Sequence, residues 1–351
     1  MKCNLECSYC ESGLYGGRDN STRHPALADC LSTIDFMFEY ADIQMSQRIS
    51  SLRHVVLNVY GGESLHHPNI VEILQAVRDR YQPYQQQWSL RVTVTTNAIV
   101  SAKKWQQIIP LIDEFTVSYH TENTPNQKQQ FRENILAASA AGRPVKCVVL
   151  MHAEPELFED AQSQINWANN NGVKVLPRQL DHRPEDTQFN YNNQQVIWFD
   201  KLYQDRNYNV ETTMPQSVFE KPTTDLAAEG RACCGGRQLC VDQNYKQRTG
   251  WISNHFPGWS CSVDKFFLYV KQVNGEVFVN KDCKMNYQGA VGPIGTLDRA
   301  DEILQQLRDG TPTIQCAKSR CYCGLCAPKA ADPDTYQSIM RKYAIPNHHL
   351  L

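Results

Sequence analysis

Three cysteines fall within the first ten residues, Cys3, Cys7 and Cys10, in the spacing C-x3-C-x2-C. Thiolates are soft ligands, and three of them on one tight loop can hold three irons of a cubane 4Fe–4S cluster while leaving the fourth iron open. An open iron is what a chelating substrate or cofactor needs. A fully ligated electron-transfer cluster wants a fourth cysteine close by, and the next one, Cys30, lies inside an expected helix. Zinc is the competing metal, but it prefers two C-x2-C pairs or a Cys/His set that closes a tetrahedron. The x3 gap and the missing fourth ligand count against it.

Further polar residues collect where a particular fold would gather them. Gly61, Gly62 and Glu63 follow the apolar run "HVVLNVY". Thr96 and Asn97 end "LRVTVTT", Ser118 and His120 end "EFTVSYH", and Arg178 ends "GVKVLPRQ". With "PVKCVVLMH" (144–152) these make five expected strands, near 54–62, 90–98, 114–120, 144–152 and 172–179. Helical periodicity fills the gaps: 26–48, 68–82, 101–112, 127–142 and 156–171. Alternating strands and helices imply right-handed βαβ units and a parallel sheet. Ligands bind at the carboxyl ends of such strands, which is where the polar residues sit. Singly each has an ordinary explanation: a turn glycine, a helix cap at Asn97, a strand-end hydroxyl at Ser118, a strand-end histidine at His120. Cys30 and Cys147 fall on a helix and a strand pattern and read as core packing.

The chain has 351 residues, 41% of them apolar, enough for one large domain and a smaller one. Its formal charge of −2 gives no reason to expect duplex nucleic acid. Neither a secretory h-region nor an apolar run long enough to span a bilayer is present. Fourteen cysteines without an export signal point to metal chemistry in the cytoplasm rather than a disulfide scaffold.

"CNLECSYC" resembles the signature loop of the radical S-adenosylmethionine (AdoMet) superfamily, with Tyr9 at the aromatic position that packs against adenine. "YGGE" (60–63) is similar to the family's GGE motif. The resemblance implies that Gly61 and Gly62 let backbone approach the methionine moiety and that Glu63 accepts from its ammonium. It also implies that Asn97 and Ser118 contact the ribose and carboxylate region, and that Arg178 makes a further polar contact. The implied fold is α/β, a partial (β/α)6 TIM-like barrel over residues 1–180. Family members carry a strand before the cysteine loop. Here only Met1 and Lys2 precede Cys3, so a five-strand remnant with the first strand missing is expected.

Residues 181–230 read as a polar connector with one helix near 192–205. Cysteines return over 231–335, with a tail at 336–351. "GWSC" ending at Cys261, a hairpin turning at Asn274-Gly275, Cys283 and "CAKSRCYCGLC" (316–326) resemble the SPASM and twitch auxiliary-cluster extensions of the same superfamily. Thirteen residues between Cys261 and Gly275 suit the SPASM pattern; seven between Gly275 and Cys283 and the compressed tail do not. One auxiliary 4Fe–4S cluster in a small α+β domain is therefore expected, held by Cys261, Cys283 and two of Cys316, Cys321, Cys323 and Cys326. A zinc knuckle made by the tail is the alternative. Cys233, Cys234 and Cys240 are left without a role.

The resemblance implies an enzyme that cleaves AdoMet reductively, abstracts a substrate hydrogen through a 5′-deoxyadenosyl radical, and passes an electron to the auxiliary cluster. A peptide or protein is the expected substrate, with flavodoxin or ferredoxin as electron donor. Action on a sugar or nucleotide, and a non-enzymatic iron–sulfur or zinc protein, are the alternatives. His120 is the one acid–base candidate.

Overall fold

The computed structural model describes residues 3–5, 7–9, 24–180, 190–204, 258–272, 274–280, 284–316, 329–330 and 332–342. The chain divides into two compact units. The first comprises Met1–Leu27, Val55–Gln82 and Leu90–Val210; the second comprises Ala28–His54, Pro83–Ser89 and Glu211–Leu351.

The first unit is the expected α/β layer. Strands β1 (His54–Val59), β2 (Ser89–Thr96), β3 (Glu114–Tyr119), β4 (Val145–Met151) and β5 (Lys174–Gln179) form one sheet in sequential order. The β2–β3, β3–β4 and β4–β5 pairs are parallel. Helix α1 (Leu27–Ser46) precedes β1. Helices α2 (Ile70–Tyr81), α3 (Ala102–Ile108), α4 (Pro125–Ala140) and α5 (Pro155–Asn170) fill the connections, and α6 (Asn193–Gln204) follows β5. Each element lies within a few residues of its expected span. Among the described residues, no helix is long and apolar enough to cross a membrane.

Local chemistry sets the helix starts. Ser101 caps α3 by accepting from Lys104 N at 3.4 Å, so the cap is not Asn97. Thr124 and Gln127 form a reciprocal capping box on α4, with Pro125 at its first position. Strand alternation then sorts the side chains. Val92, Val94, Phe115, Val117, Tyr119, Cys147, Val149, Met151 and Val175 are buried on one face. Trp105 packs against Phe115 with tilted rings, centroids 4.9 Å apart, and Tyr119 meets Phe131 edge-on at 5.3 Å. Each fully buried side chain of this kind contributes about 1.5–3 kcal/mol. On the other face Thr95, Thr116, Ser118, Val148 and Leu176 are only half-buried. β1 forms one edge of the sheet, and its Val56 is 46% exposed.

The second unit has its own core. Phe36 and Tyr40 of α1 pack with Val277, Ile303, Leu304 and Leu307. Strands β6 (Ser260–Cys261), β10 (Ile314–Gln315) and β11 (Lys329–Ala330) form one small sheet. β7 (Tyr269–Lys271), β8 (Glu276–Phe278) and β9 (Gly295–Thr296) form the other. The expected hairpin about Asn274-Gly275 is the β7–β8 pair, and the expected helix near 298–309 is α8 (Ala300–Asp309). Short helix α7 (Val263–Phe266) follows β6, and α9 (Pro333–Lys342) follows β11. Asp264, 1% exposed, accepts from Thr311 Oγ1 at 2.7 Å and pairs with Lys265 Nζ at 3.0 Å; Tyr40 OH donates to its carbonyl at 2.8 Å. That satisfied network makes the buried charges tolerable.

Candidate functional site

The carboxyl ends of β1 and β2 are locked together by Glu63. Its side chain is 1% exposed. Oε1 accepts from Thr96 Oγ1 at 2.7 Å and Leu65 N at 3.1 Å, and Oε2 accepts from Asn97 N at 2.6 Å. Burial pushes its carboxyl above the ordinary range, and those hydrogen bonds pull the other way. Gly61 and Gly62 lead into this turn with φ of 109° and 50°, the left-handed region that glycine enters without steric cost. Lys104 donates to the carbonyls of Leu65 and His67, both at 3.1 Å, and holds the far side of the turn.

The loop after β2 is equally constrained. Ala98 has φ of 54° and is fully buried. Asn134 of α4 donates to the carbonyls of Ala98 and Val100 at 2.8 and 2.9 Å. Asn97 Oδ1 accepts from Ile99 N at 3.0 Å, and its Nδ2 donates to Asn4 Oδ1 at 2.7 Å. Asn4 is thereby tied to β2, and it also donates to Ile99 O at 3.4 Å.

Asn4 belongs to the cysteine loop, and the rest of that loop continues across the strand ends. Ser8 N donates to Glu122 Oε2 at 2.9 Å, and Ser8 Oγ donates to Glu122 Oε1. Tyr9 stacks on His120, with centroids 5.9 Å apart and planes 3° apart, and meets His152, one residue past β4, at 6.1 Å. His120 Nδ1 lies 2.9 Å from Tyr9 OH and 3.3 Å from Cys7 Sγ. Burial pushes the His120 imidazole down to about 4, with Glu122 pulling it up by less, so the ring is neutral at pH 7. Cys7, Tyr9 and Leu180, the residue after β5, form one buried cluster. The loop therefore spans the carboxyl ends of β2, β3, β4 and β5, the face on which parallel α/β sheets bind ligands.

Cys7 is buried and Cys3 exposed, and neither is in a disulfide; Cys10 lies outside the described residues. Ser118 and Arg178 stand on β3 and β5, opposite Val148 and Leu150 of β4. Ser118 is half-buried and Arg178 exposed. Asn4, Glu122, Asn134 and His152 have no motif of their own in the sequence. The only signal is that Glu122 and His152 lie just past strand ends.

In the second unit Cys261 and Cys316, distant in sequence, are neighbours. Cys261 pairs with Ile314, Cys316 N donates to Trp259 O at 3.0 Å, and Gly258 N donates to Cys316 O at 2.7 Å. Both thiols are buried in one cluster with Val263, Val279, Met285 and Ile314. Cys283, Cys321, Cys323, Cys326, Cys233, Cys234 and Cys240 lie outside the described residues. Met285, two residues past Cys283, belongs to this cluster, and Lys329, three past Cys326, pairs with Cys261. Among the described residues, no three His, Cys, Asp or Glu side chains converge as a complete metal site.

An α/β layer with a cysteine loop across its strand ends is thus followed in the chain by a unit with a second cysteine cluster. No family model and no curated protein matches the chain. Among solved structures it is similar to SuiB of Streptococcus suis at 10% identity and a TM-score of 0.48, over 88% of this chain and 63% of that one. The chain thus spans less than two thirds of the length of SuiB. It is also similar to anSMEcpe with bound AdoMet at 9% identity and a TM-score of 0.49, over 98% of this chain and 91% of that one. A third similar structure is anSMEcpe with bound AdoMet and the Cp18Cys peptide, at 10% identity and a TM-score of 0.47, over 98% and 94%. At these levels of similarity, residue roles follow from this chain's own motifs and geometry.

Proposed function

We propose that the chain is a radical AdoMet enzyme that modifies a peptide or protein. One observation carries the proposal: the C-x3-C-x-Tyr-C loop is fastened across the carboxyl ends of β2 to β5, beside the Gly61-Gly62-Glu63 turn. The donor set suits the group. The thiols of Cys3 and Cys7 are soft ligands, that of Cys7 buried beside an aromatic ring and a leucine, and Cys10 would complete three. A 4Fe–4S cluster held there supplies the single electron for reductive cleavage of the AdoMet sulfonium.

Cys3, Cys7 and Cys10 would hold the cluster. The N–H groups around Gly61 and Gly62 would receive the methionine moiety. Glu63 is aimed by three donors, and its carboxylate keeps acceptor capacity for the ammonium. Tyr9 would pack against adenine. Asn97, Ser118 and Arg178 would contact the ribose and carboxylate region. The buried cluster of Cys7, Tyr9 and Leu180 would shield that side of the loop from water. Cys261 and Cys316, with partners among Cys283, Cys321, Cys323 and Cys326, would hold one auxiliary cluster, which would supply an electron acceptor for substrate oxidation. Residues 1–180 carry AdoMet chemistry, 181–230 connect, and 231–335 carry the auxiliary cluster. A flavodoxin or ferredoxin supplies electrons in the cytoplasm.

Metal analysis tests this. Each cubane holds four irons, so two predict about eight per chain after anaerobic reconstitution. The Cys3/Cys7/Cys10→Ala variant should keep about four and its brown colour. Zinc in place of iron in that variant, or only four irons in the unaltered protein, would refute the auxiliary cluster. Eight irons retained in the variant would refute the loop assignment.

A further inference from the structure

The turn after β3 touches each described residue of the loop from Cys7 to Tyr9. His120 Nδ1 reaches Cys7 Sγ at 3.3 Å and Tyr9 OH at 2.9 Å, and the two rings lie nearly parallel. Glu122 takes both donors of Ser8, its backbone N at 2.9 Å and its hydroxyl. The turn is itself closed by Asn123 N donating to His120 O at 3.1 Å. A single four-residue segment thus fixes three consecutive loop residues, through the sulfur, the backbone and the ring.

We infer that His120 and Glu122 are positioning residues of the cysteine loop, and that His120 presents an N–H to the Cys7 sulfur. The inference rests on the cluster assignment proposed above. Cys7 ligates iron only as a thiolate, which accepts hydrogen bonds and donates none. A bare ring nitrogen at this distance would aim its lone pair at that negative sulfur. The alternative tautomer instead places one N–H between the sulfur and the Tyr9 oxygen, and both accept it. Hydrogen bonds to ligating sulfurs tune the reduction potential of a cluster, and outer partners of metal ligands commonly change metal affinity 10–100-fold. A donor on Cys7 offsets the extra negative charge of the reduced cluster, so it raises the potential. Glu122 touches the loop through Ser8 and not through sulfur, so it acts on loop order alone.

The two residues therefore have separable signatures. The full chain, reconstituted anaerobically, is titrated with dithionite and followed by electron paramagnetic resonance. The loop's signal is the one that the Cys3/Cys7/Cys10→Ala variant lacks. His120→Ala should move the midpoint of that signal to more negative potential and speed iron loss to a chelator about tenfold. His120→Gln, which restores an N–H donor, should recover most of the potential. Glu122→Ala, which removes the acceptor of both Ser8 donors, should speed iron loss with the midpoint unchanged. Wild-type midpoint and wild-type iron loss in both His120→Ala and Glu122→Ala would overturn the inference. So would a shifted midpoint in His120→Ala that His120→Gln fails to recover. If the unaltered protein shows no signal that the triple variant lacks, the cluster assignment itself has failed, and the positioning role falls with it.

Discussion

Replacing Glu63 by Ala should destabilise the first unit by about 3–5 kcal/mol, because it leaves three buried neutral donors unpaired at about 1–3 kcal/mol each while removing the cost of burying the carboxylate. Its carboxylate is 1% exposed and receives Thr96 Oγ1, Leu65 N and Asn97 N. Hydrogen bonds to a charged acceptor contribute about 1.5–3 kcal/mol each, and three of them set an upper bound near 5–9 kcal/mol. The cost of burying the carboxylate reduces that sum. Glu63→Gln keeps the shape but turns one oxygen into a donor facing another donor, so it should cost about 1–3 kcal/mol. The two variants also separate charge from contact. Burial raises the Glu63 pKa in the folded state, so folding favours its protonated form. Its contribution to stability is therefore full below the ordinary carboxyl range and falls as pH rises through the raised pKa. The amide introduced by Glu63→Gln does not titrate. The advantage of wild type over Glu63→Gln should shrink with rising pH, by no more than about 1.4 kcal/mol per pH unit for one proton. Urea unfolding at several pH values gives the differences. Hydrogen exchange at the Leu65 and Asn97 amides gives the local effect. Glu63→Ala within about 0.5 kcal/mol of wild type, the range of an ordinary surface change, would refute the reasoning. So would undiminished protection of both amides.

Other outcomes follow from neighbouring contacts. Asn134→Leu strands the Ala98 carbonyl, since Val100 O keeps its bond from Gln130 at 2.7 Å, and should cost about 1–3 kcal/mol in the same unfolding assay. Ala98→Gly relieves a left-handed backbone at φ of 54°, and the relief slightly exceeds the added chain entropy, so stability should rise by up to about 1 kcal/mol. Cys147 is fully buried and its thiol is pushed up to about 12, so mass spectrometry should find it unmodified by iodoacetamide at pH 8 until the chain is unfolded. Gly295→Ala brings a methyl group within 2.7 Å of Ile303 Cδ1 and should cost about 1–3 kcal/mol, read as a lower thermal midpoint.

Much of the first unit was legible because its strands are short, apolar and separated by polar turns. Period-two burial in "FTVSY" and helical spacing after Thr124-Pro125 leave few other structures open. The cysteine loop stands out in the sequence because its spacing narrows the metals it could hold. What fastens the loop was not. Asn4, Glu122, Asn134 and His152 act through tertiary hydrogen bonds and ring contacts that no local pattern encodes. The helix cap is Ser101 and not Asn97, and no local pattern shows that the Asn97 amide bonds to Asn4 and to Ile99 N. Nor did periodicity show which core α1 serves: Phe36 and Tyr40 pack with Val277 and Leu304, more than two hundred residues away. The Cys261–Cys316 proximity depends on a two-residue strand pair, too short to register as a strand in sequence.

The central claim is that the Cys3/Cys7/Cys10 loop supports reductive cleavage of AdoMet. Its most direct test is the amount of 5′-deoxyadenosine formed, by mass spectrometry, when the anaerobically reconstituted chain is incubated with dithionite and AdoMet. The account expects 5′-deoxyadenosine from the unaltered chain and none above background from the Cys3/Cys7/Cys10→Ala variant, although that variant keeps its auxiliary cluster. Equal amounts from both proteins, or none from a chain shown to carry about eight irons, two full cubanes, would contradict it.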